Sequence, residues 1–233
     1  MKKYVLILCI LHLSYSLYSQ HIQSVPDYEK ISKEIINKDS KFYYPPLLER
    51  YLKNDTTLTE EDFHYLYFGY IFQDKYNPYN YDDSVQIFFK RLNKQILDKE
   101  DYSFLLSCAL GIMDRDPFNI RILKMVAYIY NQQGNTEMAW RVGRKNAFLL
   151  GAIMSSGDGY SDSTAIHVIS VSHEYEIMAL LQLKFKSQAL THYKNQAIDA
   201  MSVETKDHDS DTIYFNVTQI FNSNRKILFP QSK

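Results

Sequence analysis

The sequence predicts an α+β fold, mainly α, in which helical hairpins are followed by a small antiparallel sheet with one helix. Three observations carry that prediction. Apolar side chains recur at three- and four-residue spacing from residue 27 to about residue 152, the rhythm of helices that bury one face. A turn-rich run, Ser155-Ser156-Gly157-Asp158-Gly159-Tyr160-Ser161-Asp162-Ser163-Thr164, then breaks the rhythm. Near the end, Ile213, Phe215 and Val217 alternate with Tyr214, Asn216 and Thr218, the two-residue period of a sheet with one covered face. The chain therefore divides into a leader over 1–19, a helical-hairpin region over 20–154, and a loop with a small α+β region over 155–233 packed on the helical part.

Element by element, residues 27–38 predict a short helix with Tyr28, Ile31, Ile35 and Ile36 on its buried side. Pro45-Pro46 opens a second helix, since a first turn has no use for the N–H that proline lacks. Thr59-Glu60-Glu61-Asp62 places a hydroxyl cap three residues before a carboxylate, and Phe63, Leu66, Tyr67, Tyr70 and Ile71 follow at helical spacing. The loop from Asp74 to Asp83 carries Pro78 and two asparagines, and four helices between about 84 and 152 then form two hairpins. In the second hairpin, Asp116-Pro117 precedes a helix bearing Ala127 and Tyr130, Gly134 makes the turn, and Ala139 opens the returning face. These spacings resemble a tetratricopeptide unit, in which small facing residues let two helices approach closely. Beyond the turn-rich run, Ala165 to Ser170 predicts a strand and Ser172 caps a helix reaching Leu183. Strands are expected over 187–193, 196–204 and 212–220, with Asp207-His208-Asp209-Ser210-Asp211 as the hairpin turn between the last two.

The first twenty residues indicate compartment. Lys2 and Lys3 precede an apolar run from Tyr4 to Leu13, and Leu17-Tyr18-Ser19 sets a small residue before Gln20, the pattern of a cleavable secretory signal. An apolar run of about ten residues falls short of the roughly twenty that a membrane-spanning helix needs. The expectation is cleavage after Ser19 and a periplasmic or secreted product with no transmembrane segment. The 26 basic and 27 acidic side chains nearly cancel and are mixed along the chain, which argues against nucleic acid as a partner. Cys9 lies inside the leader and Cys108 in an apolar helix, so the exported chain has no internal disulfide, and an apolar setting makes Cys108 an inert thiol.

Several stretches in order along the chain carry a family resemblance. They are Tyr51 with Asp55-Thr56-Thr57-Leu58-Thr59, Leu66-Tyr67-Phe68-Gly69-Tyr70, Tyr76-Asn77-Pro78-Tyr79, Gly157-Asp158-Gly159, Ala165-Ile166-His167-Val168-Ile169, Glu174-Tyr175 and Tyr214-Phe215-Asn216-Val217. Together they resemble an uncharacterised family of exported Bacteroidetes proteins, domain of unknown function 4919. The resemblance implies an exported, mainly helical protein and supplies no catalytic residues.

Two places hold candidate chemistry. Asp158, Asp162, His167, His173 and Glu174 cluster around the glycine-rich loop, and a hydrolase would need an acid from the loop beside a histidine base. The two histidines do not share the helical face that a metal pair needs, and a calcium loop starting at Asp158 lacks its closing glutamate, so no metal and no cofactor is assigned. The second place is aromatic. Tyr43, Tyr44, Tyr65, Tyr67, Tyr70, Tyr76, Tyr79 and Tyr81 crowd the first third of the chain; half sit at core-compatible spacing, and Tyr76, Tyr79 and Tyr81 fall on a loop. Tyrosine offers a rigid apolar face with a hydroxyl at small entropic cost, which suits contact with a sugar or peptide. The leading expectation is a non-enzymatic interaction or scaffold module of the bacterial envelope, with a protein or peptide partner at those tyrosines. The alternative is an envelope hydrolase with a His/Asp site near residues 158–174. Composition and spacing leave the oligomeric state open.

Overall fold

The computed structural model describes residues 24–79, 82–205 and 211–228. The leader, Tyr81 and the 206–210 part of the acidic turn lie outside the described residues.

The helical part begins with α1 (Tyr28–Glu34), α2 (Tyr44–Leu52) and α3 (Glu60–Gly69), followed by a single 3₁₀ turn, Tyr70–Phe72. α2 has its prolines in the first turn. α3 carries the expected reciprocal cap: Asp62 N donates to Thr59 Oγ1 at 3.2 Å and Thr59 N donates to Asp62 Oδ2 at 2.8 Å. The four helices predicted between 84 and 152 are present as α4 (Asp83–Leu92), α5 (Lys99–Arg115), α6 (Ile120–Gln132) and α7 (Thr136–Met154). Each starts on a short polar side chain, Asp82, Asp98, Asn119 or Asn135, that accepts a first-turn N–H. Gly134, at φ +74°, reverses the chain between α6 and α7, in a conformation only glycine adopts without strain.

Aromatic side chains fill the helical core. Tyr51, Phe63, Tyr67, Phe68, Phe88 and Phe118 are fully buried, and the tyrosine hydroxyls among them are spent on backbone and core partners. Tyr51 Oη donates to the Pro117 carbonyl at 2.8 Å, and Tyr44 Oη to the Leu66 carbonyl at 2.9 Å. Lys145 is also buried, with Nζ 4.3 Å above the centre of the Tyr51 ring, and its burial lowers the ammonium pKa to about 8.

The sheet order is β1-β4-β3-β2, with β1 (Ile166–His167), β2 (Lys184–Tyr193), β3 (Gln196–Glu204) and β4 (Asp211–Asn216). Two further helices, α8 (Val171–Leu180) and α9 (Thr218–Leu228), accompany it. Here the structure corrects several expectations, beginning with the single helix expected beside the sheet. The sheet is mixed, because β1 pairs with β4 in parallel, Ile166 beside Phe215. The first strand shrinks to two residues because the chain turns at Ser170, and Ser170, not Ser172, caps α8, which ends at Leu180. β2 starts three residues early, at Lys184, across a bulge between Phe185 and Ser187. The last strand stops at Asn216: its Oδ1 accepts from Thr218 N at 3.1 Å while Thr218 Oγ1 accepts from Ala197 N at 3.0 Å, and that polar turn launches α9 where a continued strand was expected. The inward alternation of Ile213, Phe215 and Val217 holds, all three being buried. One hydrophobic core runs through both parts, from Ile31 and Tyr67 to Met201 and Phe215. The loop joining them passes so close to itself that a Cβ at Gly157 would meet the carbonyl oxygens of Ala165 and Thr164 at 2.4 and 2.5 Å.

Candidate functional site

Where the helical part meets the sheet, a cleft of about 380 Å³ opens between the loop after α3, the α5–α6 corner and the N-terminus of α8. That volume is within the range of small-ligand sites, about 300–1,000 Å³. Tyr76 and Tyr79 form its aromatic wall. Tyr76 is fixed twice: its hydroxyl donates to the Ile169 carbonyl at 2.8 Å, and its ring packs edge-on against Tyr70 with centroids 5.7 Å apart. Tyr79 is 45% exposed. Asp82 and Arg115 also line it, with Arg115 Nη2 and Nε donating to Asp82 Oδ2 at 2.6 and 2.9 Å. Burial works against charge on Asp82, but hydrogen bonds from Arg115 and Ser84 outweigh it and hold the carboxyl pKa low. Asp116, deeper in the corner, has its pKa raised by burial despite a hydrogen bond from Asn119 Nδ2 at 3.0 Å. The cleft thus presents aromatic faces beside a neutralised ion pair. A second, wider hollow of about 750 Å³ lies between α1, α3 and α7, lined by Asp27, Lys30, His64, Phe148 and Gly151 among others.

The floor of the first cleft is His173, whose imidazole is wholly committed. Ile169 N donates to Tyr67 Oη at 3.2 Å, Tyr67 Oη lies 2.7 Å from His173 Nδ1, and the ring's other nitrogen serves the Phe118 carbonyl. The Phe118 carbonyl can only accept, so the ring nitrogen facing it carries a proton; with burial holding the ring neutral, Nδ1 is bare and takes the Tyr67 hydroxyl proton. Burial pushes its pKa down to about 4, with the Phe118 bond pulling the other way. His167 has the same fate: its Nδ1 is 3.4 Å from Tyr28 Oη, its backbone N donates to Ser156 Oγ at 2.8 Å, and burial lowers its pKa to about 4.

Glu174 lies in the first turn of α8 and faces inward. It is 0% exposed, no donor reaches either of its carboxylate oxygens, and its neighbour is the buried Asp199 of β3. Two carboxyl groups in contact are compatible only if one keeps its proton. Burial first, then the charge and hydrogen bond of Asp199, raises the Glu174 pKa to about 9, while Gln188 Nε2 donates to Asp199 Oδ2 at 2.5 Å. Asp158 Oδ1 accepts from Tyr160 N at 2.9 Å and from Thr164 Oγ1 at 2.5 Å, closing its own loop, and Asp162 begins the 3₁₀ turn Asp162–Thr164. Among the described residues no hydrogen bond joins any two of Asp158, Asp162, His167, His173 and Glu174.

Sequence reasoning did not single out Asp199, Gln188, Asp82 or Arg115. Asp199 was within reach: it stands on the inward stripe of β3 with Met201 and Val203, where an acid is out of place. Arg115 and Asp82 are 33 residues apart and adopt no short motif.

The fold and cleft define a mainly helical α+β domain with a ligand-sized hollow where helices meet sheet. The model of a family described as domain of unknown function DUF4919 matches residues 29–226, and the chain belongs to that family. Comparison with curated proteins and with solved structures returns no match. No helix among the described residues is long and apolar enough to cross a membrane.

Proposed function

We propose that the chain is an exported, non-enzymatic interaction module of the bacterial envelope that holds a segment of a protein or peptide partner in the cleft beside Tyr76 and Tyr79. The observation that carries the reading is the cleft itself, because its aromatic wall sets an anchored Tyr76 beside Tyr79, whose side chain is 45% exposed. The groups a hydrolase would need are occupied elsewhere: His173 by Tyr67, Glu174 by Asp199, and Asp158 by its own loop. The four helices α4–α7, with Gly134 at the second turn, support a tetratricopeptide-like reading of the body that presents the cleft. Export rests on Lys2, Lys3, the apolar run and Ser19.

Tyr79→Ala is the informative variant, since Tyr76 also braces Ile169 and its loss would disturb the loop. Capture of partners from envelope extracts should fall about tenfold or more with Tyr79→Ala, the effect of losing an aromatic anchor from an interface. Equal recovery by variant and parent would rule the cleft out. Export has its own check: the chain should be found outside the cytoplasm with Gln20 at its N-terminus, and uncleaved protein in the cytosol would end that part of the proposal.

A further inference from the structure

We infer that β2 is a self-association edge: its free side pairs antiparallel with the same strand of a second copy of this chain, joining two four-stranded sheets into one. β2 stands at the end of the sheet, and among the described residues its backbone pairs only with β3. It is ten residues long and exposed along its whole length except for Tyr193, which is partly covered. An open strand of that length is a template for another strand unless something blunts it. The blunting devices here sit at the ends of the strand, with Lys194 just past Tyr193. Lys184, the bulge residue Lys186 and the irregular register around it guard the start, whereas Ser187 to Tyr193 contains no Lys, Arg, Asp, Glu, Pro or Gly.

Charge selects the occupant. A strand without formal charge offers nothing to steer an acidic or basic peptide, and its complement is another uncharged strand, which the chain itself supplies. Symmetry then limits the register. A two-fold axis normal to the sheet keeps each face on its own side, so residues of equal parity meet and the contact is isologous. Centring on Leu190 would set Lys186 against Lys194 of the second copy, and centring on Ala189 would carry the pair into the bulge. Centring on Thr191 avoids both. Thr191 then meets its own counterpart, Leu190 meets His192, and Ala189 meets Tyr193. This covers Leu190, which is 47% exposed, and sets a threonine pair at the centre, a favourable cross-strand combination. The contact is short, so the dimer is weak and forms with rising concentration.

Sedimentation velocity on the exported chain, from low micromolar to hundreds of micromolar, should show a monomer shifting to a dimer. Thr191→Lys places two ammonium groups together on the axis and should hold the protein monomeric at every concentration with an unchanged far-ultraviolet circular dichroism spectrum. Thr191→Cys should form a disulfide-linked dimer under mild oxidant while the parent, with Cys108 alone, does not. A parent that stays monomeric throughout the range overturns the inference, as does a Thr191→Lys variant that dimerises like the parent or a Thr191→Cys variant that fails to cross-link. A monomeric parent that instead binds a synthetic Ser187–Tyr193 peptide would also overturn it, and would assign the edge to a foreign strand.

Discussion

Tyr67→Phe is expected to destabilise the protein by roughly 2–5 kcal/mol although it removes a single oxygen, because that oxygen satisfies two buried groups at once. Tyr67 is 0% exposed, and its hydroxyl takes the Ile169 N–H and gives its proton to His173 Nδ1. Phenylalanine fills nearly the same space, so no large cavity contributes; what remains is a buried N–H and a buried imidazole nitrogen without their partner, each costing about 1–3 kcal/mol. The chain Ile169–Tyr67–His173–Phe118 ties α3, the strand exit, α8 and the α5–α6 corner into one unit, so the loss is global. At about 2–4 °C per kcal/mol for a protein of this size, the melting temperature should drop by roughly 5–15 °C. His173→Leu added to Tyr67→Phe should cost less than the two single losses combined, since each removes the other's orphan. A Tyr67→Phe protein that melts with the parent would show that the hydroxyl is not in this network. The same lesion reaches the cleft, because His173 forms its floor.

How much of this was legible in the residues follows from what each signal depends on. The helices from α3 to α7 were readable because caps and apolar spacing are local: Thr59 with Asp62 marks a start, and the stripe Val85, Phe88, Phe89, Leu92 needs no distant partner. The end of β4 was not, since the strand stops where Asn216 Oδ1 accepts from Thr218 N and Thr218 Oγ1 accepts from Ala197 N, a partner 21 residues away. The parallel β1–β4 pair is likewise invisible locally, because it forms only after α8 and the β2–β3 hairpin have brought the chain back. For the site, Tyr76 and Tyr79 stood out as loop aromatics and both line the cleft. His173 and Glu174 stood out as polar residues near a glycine-rich loop, but sequence proximity could not show that one faces Tyr67 on α3 and the other Asp199 on β3.

Glu174→Gln is expected to stabilise the protein, and by an amount that depends on pH. The pKa of Glu174 rises from an ordinary 4.5 to about 9 on folding, so the folded state holds a proton that the unfolded chain releases. Its contribution favours folding fully below pH 4.5 and is lost as pH rises toward 9. At pH 7 the penalty is on the order of 3 kcal/mol, at about 1.4 kcal/mol per pH unit. The histidines work the other way. His167 and His173 fall from 6.5 to about 4, so their contributions are present above pH 6.5 and lost as pH falls through 4, and burial lowers His64 in the same direction. Lys145, lowered to about 8, regains stability between pH 8 and 10.5 and flattens the alkaline side. The parent should therefore be most stable near pH 6.5, weaken toward pH 8 and then level off. Glutamine keeps the shape of the side chain, and its amide can donate to Asp199 without needing a proton from solvent. Urea titrations of both proteins from pH 5 to pH 9 should show the variant's advantage growing by about 1.4 kcal/mol per unit. A constant difference across that range would mean that Glu174 ionises as an ordinary carboxyl and that a shared proton does not join α8 to β3.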